Sequence, residues 1–223
     1  MSLLTKCTNA YNLDNSSIDS VAGNNGVDTS ITYSGTFATL NGSTSKIAIA
    51  DSTSFTFGSS DFTIGVWVKK AANGTTMSFL GQSDSGASIA STSIVLEFFS
   101  NNRLYADIFY GGIYFQLTNP AATTNFNWHF VLLERVGNVF NLYLDNVLVD
   151  TRTASLTINN SSNNMVIGQY GEYPVRHWNG SIGGVYFFVG SSLTSTERTK
   201  LYNAGVFLKY PFGESAGNMF LMW

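Results

Sequence analysis

Apolar and polar residues alternate along this chain in short runs. Phe62 to Lys69 is the clearest: Ile64, Val66 and Val68 fall on one face and Trp67 on the other. Phe37 to Leu40, Lys46 to Ala50, Met77 to Leu80, Ile94 to Phe99, Leu104 to Phe109 and Ile113 to Leu117 follow the same rule. So do Trp128 to Leu133, Val139 to Leu144, Val147 to Val149, Met165 to Ile167 and Ile182 to Val189. A period of two is what a strand needs when one face is buried. Each run is bounded by Gly, Asn, Ser or Asp. About twelve short strands at regular spacing predict an antiparallel sandwich or barrel.

The turns support that pairing. Asp145-Asn146 separates Leu142-Tyr143-Leu144 from Val147-Leu148-Val149. Both residues tolerate positive φ, so a two-residue type I′ hairpin fits. Asn73-Gly74, Asn101-Asn102 and Gly137-Asn138 are similar signals. One helix is predicted, over about Ser195 to Asn203. Thr194 and Glu197 form a capping box, each satisfying a backbone N–H of the first turn. Gly205 follows where a helix should stop, and Leu201 and Tyr202 face the body.

Composition narrows the class. Only 11% of the 223 residues are charged, while 44% are hydrophobic and 14% aromatic. Soluble domains carry roughly 25% charge. Asn, Ser and Thr fill the deficit, and they favour turns over helix interiors. A coiled coil or helical bundle is excluded. The net charge of -3 has no basic stripe behind it, which argues against nucleic-acid binding. No apolar run reaches the ~18 residues of a membrane span, and the opening MSLLTKCTNAYNLD lacks a signal-peptide core. A product made in the cytoplasm is therefore expected. The single Cys7 has no intrachain partner and reads as a passive thiol.

Ordered segments add a family resemblance. Ala10-Tyr-x-Leu13-Asp14-Asn15 and Asp19 to Gly26 resemble the opening of laminin G-like domains of the concanavalin A-like group. Phe62-Thr-Ile-Gly-Val-Trp67-Val is similar to that family's tryptophan strand. Trp128-His-Phe-Val with Asn141-Leu-Tyr-Leu-Asp145-Asn146 resembles its central hairpin. Ile167-Gly168, Trp178-Asn-Gly180-Ser-Ile182 and Leu193 to Asn203 continue the order. The resemblance implies an all-β jelly-roll sandwich of two curved antiparallel sheets over residues 1–205. An apolar tail, 206–223, would pack on the domain or on a neighbouring subunit, with Tyr210, Phe212, Phe220 and Trp223 as candidate subunit contacts. The Asn-rich opening and the short tail resemble versions found in bacteriophage virion proteins. That resemblance implies a virion-surface location, other virion proteins as partners and a homo-oligomer.

The candidate chemistry is sparse. No Gly-x-Ser-x-Gly elbow is present, and no Cys/His metal spacing. A glycosidase needs two carboxylates about 5–9 Å apart. Glucanases of the resembled group carry three acids alternating on one strand, and no such triplet occurs here. Glu97, Asp107, Glu134 and Glu172 are isolated along the sequence, as expected of surface carboxylates. Asp107 stands out because it interrupts an aromatic run. His129 is expected to be structural. Asp14, Asp19 and Asn24 could supply calcium with oxygen ligands. The resemblance weakens that site, because Gly183-Gly184 stands where related domains carry an aspartate. Sugar binding needs aromatic faces beside amides. Tyr110, Tyr114, Tyr173 and Trp178 have that character. Two functions follow as expectations: a non-enzymatic structural or adhesive module, and a lectin-like domain recognising glycan.

Overall fold

The computed structural model describes residues 2–213. In chain order the strands open with β1 (Asn9–Tyr11), β2 (Gly26–Thr29), β3 (Thr32–Tyr33), β4 (Ala38–Asn41) and β5 (Lys46–Ile49). They continue with β6 (Phe62–Lys70), β7 (Met77–Gln82), β8 (Ile94–Phe98), β9 (Leu104–Tyr110) and β10 (Ile113–Thr118). The last five are β11 (His129–Val136), β12 (Val139–Leu144), β13 (Val147–Thr153), β14 (Met165–Ile167) and β15 (Asn179–Val189). Two antiparallel sheets result. One has eight strands in the order β13-β12-β11-β6-β15-β4-β3, with β1 also paired to β15. The other has seven, in the order β10-β9-β8-β7-β14-β5-β2. Of the sandwich or barrel that the alternating pattern predicts, the sandwich forms, with the jelly-roll architecture that the family resemblance implies.

The inward halves of the alternating runs meet between the sheets. Ile64, Val66 and Val68 of β6 join Phe79, Phe98, Phe140 and Phe187 there. Turn chemistry sets the register as expected. Asp145 and Asn146 both take positive φ, at 52° and 63°. The Asp145 side chain also accepts the Phe130 N–H at 2.8 Å and lies 2.7 Å from His129 Nδ1. His129 Nε2 lies 2.8 Å from the Asn125 side-chain oxygen. His129 thus fastens the β12–β13 turn to β11, the structural role expected of it.

A third layer covers the eight-stranded sheet. Trp67, Phe130, Tyr186 and Phe188 form a second apolar cluster with Leu3, Leu193, Leu201 and Phe212. Its cover is a one-turn helix α1 (Leu3–Lys6), helix α2 (Ser195–Tyr202) and the segment after it. The capping box at Thr194 and Glu197 is present. Helix α2 ends at Asn203, in the left-handed conformation at φ 48°, two residues before the expected Gly205. Asparagine tolerates that conformation almost as glycine does. Glu197 also holds Lys6 at 2.7 Å, tying α1 to α2.

This layer corrects two expectations. Phe212 is fully buried, its ring 5.3 Å from Tyr186 and 6.1 Å from Phe188. Tyr210 packs on Phe212, and its backbone exchanges hydrogen bonds with the Asn12 side chain. Phe212 therefore has no surface left for a subunit contact, and Tyr210 is half-buried against its own domain. Phe220 and Trp223 lie outside the described residues. Glu134 is also not a surface carboxylate: it is 1% exposed, takes Arg198 at 3.1 Å and accepts the Leu193 N–H.

Candidate functional site

Among the described residues no α-helix covers the seven-stranded sheet, and its outer face carries a cluster of polar groups. Strand alternation selects which residues point outward. On β8, Leu96 and Phe98 enter the core while Val95 and Glu97 face out. On β9, Ala106 and Ile108 enter the core while Asp107 and Phe109 face out. Tyr114 and Gln116 do so on β10. The register sets Asp107 opposite Val95 and Gln116, and Tyr114 opposite Phe109. Glu97 is opposite Tyr105, so it sits diagonally across from Asp107, within reach for carboxyl side chains.

The loop 168–178 lies over this face. It descends on β7 at two glycines. A Cβ on Gly81 would come 2.7 Å from the Gly171 nitrogen, and one on Gly171 would come 2.3 Å from the Ser83 nitrogen. Any side chain at either position would lift the loop. Backbone bonds fix it: Gly168 N–H to Phe79 O, Glu172 N–H to Ser83 O and Ser78 N–H to Arg176 O. Arg176 is left-handed, at φ 55°. Such a conformation is uncommon for a residue with a bulky side chain and tends to persist where surrounding structure enforces it.

Here it brings the guanidinium onto Glu97. Arg176 Nη1 donates to both Glu97 oxygens, at 2.8 and 3.0 Å, and Ser78 Oγ donates to one of them at 2.7 Å. The guanidinium carbon lies 4.9 Å from the Tyr170 ring centroid and 5.5 Å from that of Phe99. Glu97 is wholly buried and Asp107 is 5% exposed. Gln116 Nε2 donates to Asp107 at 2.7 Å, and Glu97 stands diagonally across the β8–β9 pair from it. Burial, reinforced by the neighbouring Glu97, pushes the Asp107 carboxyl up to about 7. Asp107 therefore keeps its proton through the mildly acidic range. Burial and the same two carboxyls also raise the Tyr170 phenol.

Around this polar floor is a hollow of about 340 Å³, walled by Phe99, Phe109, Tyr114 and Tyr170. Ligand pockets run from roughly 300 Å³ upward, so the hollow falls within that size range. Tyr114 stands at the rim, 57% exposed, with its ring 6.0 Å from Phe109. Tyr173 packs half-buried against Tyr170.

The other two sugar-binding candidates do not converge here. Tyr110 lines a separate depression at the end of the sandwich, beside Arg135. Trp178 is fully buried between the sheets, 5.5 Å from Phe79 and 6.1 Å from Phe98. It is a core residue and offers no face to a ligand.

The proposed calcium loop is likewise built for another purpose. The Asp19 carboxylate accepts the backbone N–H groups of Ala10, Val21, Ala22 and Asn24 and the Asn9 amide. Asp14 is paired with Lys209. Asn24 donates to Ser54, and its backbone oxygen accepts the Tyr11 hydroxyl. These oxygens close the loop onto the domain. Among the described residues no three acids, histidines or cysteines cluster as metal ligands.

A two-sheet jelly roll with a polar, aromatic-walled hollow on one open face defines a lectin-like class. The sequence agrees: residues 41–197 match a laminin G family of the concanavalin A-like lectin/glucanases superfamily. The chain belongs to that superfamily. Solved structures share the fold at low identity. Domain 4 of AbnA, a GH43 extracellular arabinanase from Geobacillus stearothermophilus solved with arabinotriose, is 18% identical, with TM-score 0.68. That match covers 88% of this chain and 98% of the other. The binding domain of Paraclostridial Mosquitocidal Protein 1 is 16% identical, with TM-score 0.70. The binding domain of Botulinum Neurotoxin DC, in complex with SialylT, is 14% identical, with TM-score 0.69. Each toxin match covers 92% of this chain, which spans about half of the toxin domain, 53% in both cases. No curated protein sequence matches the chain.

Proposed function

We propose that this chain is a non-enzymatic carbohydrate-binding module of adhesive type, and that the hollow over β8, β9 and β10 is its binding site. One observation carries the reading. Arg176, Asp107 and Gln116 form a polar floor beside the exposed ring of Tyr114 and the edge of Phe109. A sugar presents C–H faces to aromatic rings and a rim of hydroxyls that both donate and accept. The floor offers both kinds of partner, and the rings offer the apolar surface. Structures of this fold solved with arabinotriose and SialylT support the reading.

The carboxyl geometry favours binding over hydrolysis. Glycosidase carboxyls stand about 5–9 Å apart so that a glycosidic bond fits between them. Glu97 and Asp107 are diagonal neighbours across the β8–β9 pair, and both Glu97 oxygens are taken by Arg176. Glu97 is also fully buried and presents no oxygen to a substrate.

A glycan array tests the proposal. Wild type should bind a subset of glycans, and Tyr114→Ala should lose most of that signal. A bound polysaccharide incubated with the protein should gain no reducing ends. Silence across the array would favour a purely structural module. The proposal extends to a bacteriophage particle surface with other virion proteins as partners. The Asn-rich segment of residues 9–25 supports this, and adjacency of the gene to capsid or tail genes tests it.

A further inference from the structure

The hollow's charge pattern selects among sugars. Several elements face the Glu97–Asp107 pair. Strand β7 contributes Ser78, β9 contributes Tyr105, and β10 contributes Tyr114 and Gln116. Loop 168–178 contributes Tyr170 and Arg176. Arg176 is the only cation lining the hollow among the described residues. Its Nη1 is committed to both oxygens of a carboxylate that has no exposed surface.

We propose that the hollow takes an uncharged sugar residue and rejects sugars that carry a carboxylate. This rests on the carbohydrate-binding reading above. A ligand carboxylate could pair only with Arg176. It would have to share a guanidinium whose single charge the buried Glu97 already balances, which leaves one negative charge without a counter-charge in a partly desolvated hollow, an unfavourable outcome. It would also come close to Asp107. While Asp107 keeps its proton, Arg176 and Glu97 balance and the floor is neutral. Once that proton leaves, the floor is negative, and a ligand carboxylate is repelled outright. A sugar hydroxyl meets neither problem. It can donate to Asp107 or to the Gln116 oxygen, and it can accept from the outer guanidinium N–H groups. No protein acceptor takes those groups among the described residues, and the Arg176 side chain is 37% exposed.

The test is an array of matched oligosaccharides, each neutral member paired with the same chain capped by sialic or uronic acid. It is read at about pH 5 and about pH 8, on either side of the Asp107 transition. Wild type should bind the carboxylated members about tenfold more weakly or worse, as expected for one unfavourable charge contact near a protein surface. The gap should widen as pH rises. Asp107→Asn should remove the widening. Glu97→Gln, which frees Arg176, should narrow or reverse the preference. If that variant does not fold, the wild-type and Asp107→Asn pH series carry the test alone. Equal or tighter wild-type binding of the carboxylated members would overturn the inference and leave the carbohydrate-binding reading standing. Silence of wild type on every pair would overturn both.

Discussion

The outer faces of the two sheets start from the same alternating pattern and end in opposite chemistry. On the eight-stranded sheet the outward residues are Trp67, Phe130, Tyr186 and Phe188, and helices and the following segment bury them. On the seven-stranded sheet the outward residues include Glu97, Asp107 and Gln116, and among the described residues the segments around Ala87 and Tyr170 leave a hollow above them. The first face is a second core. The second is a small polar site with an open mouth. Buried area stabilises the fold on one side, and a few placed charges create selectivity on the other. A fold with one covered face can keep its other face unsatisfied enough to bind.

Substitutions should separate the faces, and the largest effect should come from the covered one. Phe212→Ala removes a fully buried ring and should cost about 3–5 kcal/mol of stability. Denaturant unfolding measures this, and the protein that remains folded should bind glycan unchanged. On the open face, Glu97→Ala should cost less, about 1.5–3 kcal/mol, because Arg176 can still reach water. Its preference among glycans should shift as well, because Arg176 is no longer held by a carboxylate.

Asp107→Asn gives a smaller effect with a definite sign. The folded carboxyl titrates near 7, above its ordinary 3.8. The native state therefore binds the proton more tightly than the unfolded state does. This contribution is fully present below about pH 4 and fades as pH rises toward about 7. Melting temperature should fall over that window in wild type and fall less in Asp107→Asn. The smallest stability effect belongs to Tyr114→Ala. An exposed ring should shift stability by only about 0.5 kcal/mol, while affinity should drop.

Much of the fold is legible in the sequence because its signals are local. Period-two alternation, the Asp145-Asn146 turn and the Thr194–Glu197 capping box each act within a few residues. The site is less legible because its parts meet through register. Glu97 and Asp107 look isolated along the chain, and only the β8–β9 pairing sets them diagonally. Their outward parity in adjacent strands was the available signal. Arg176 reaches them from a loop 79 residues beyond Glu97. Trp178 misled because its neighbours are polar loop residues, although the chain turns it into the core. Asp19 misled for a related reason: an acid in an Asn-rich loop can accept local amides as readily as it can hold a cation.

The most direct test compares two tyrosines close in sequence that line different depressions. Tyr114 walls the proposed site, and Tyr110 lines the depression beside Arg135. Calorimetric titration of an array-positive glycan into wild type, Tyr114→Ala and Tyr110→Ala should show affinity lost only in Tyr114→Ala. Undiminished binding by a folded Tyr114→Ala protein, or a loss confined to Tyr110→Ala, would contradict the assignment of the hollow as the binding site.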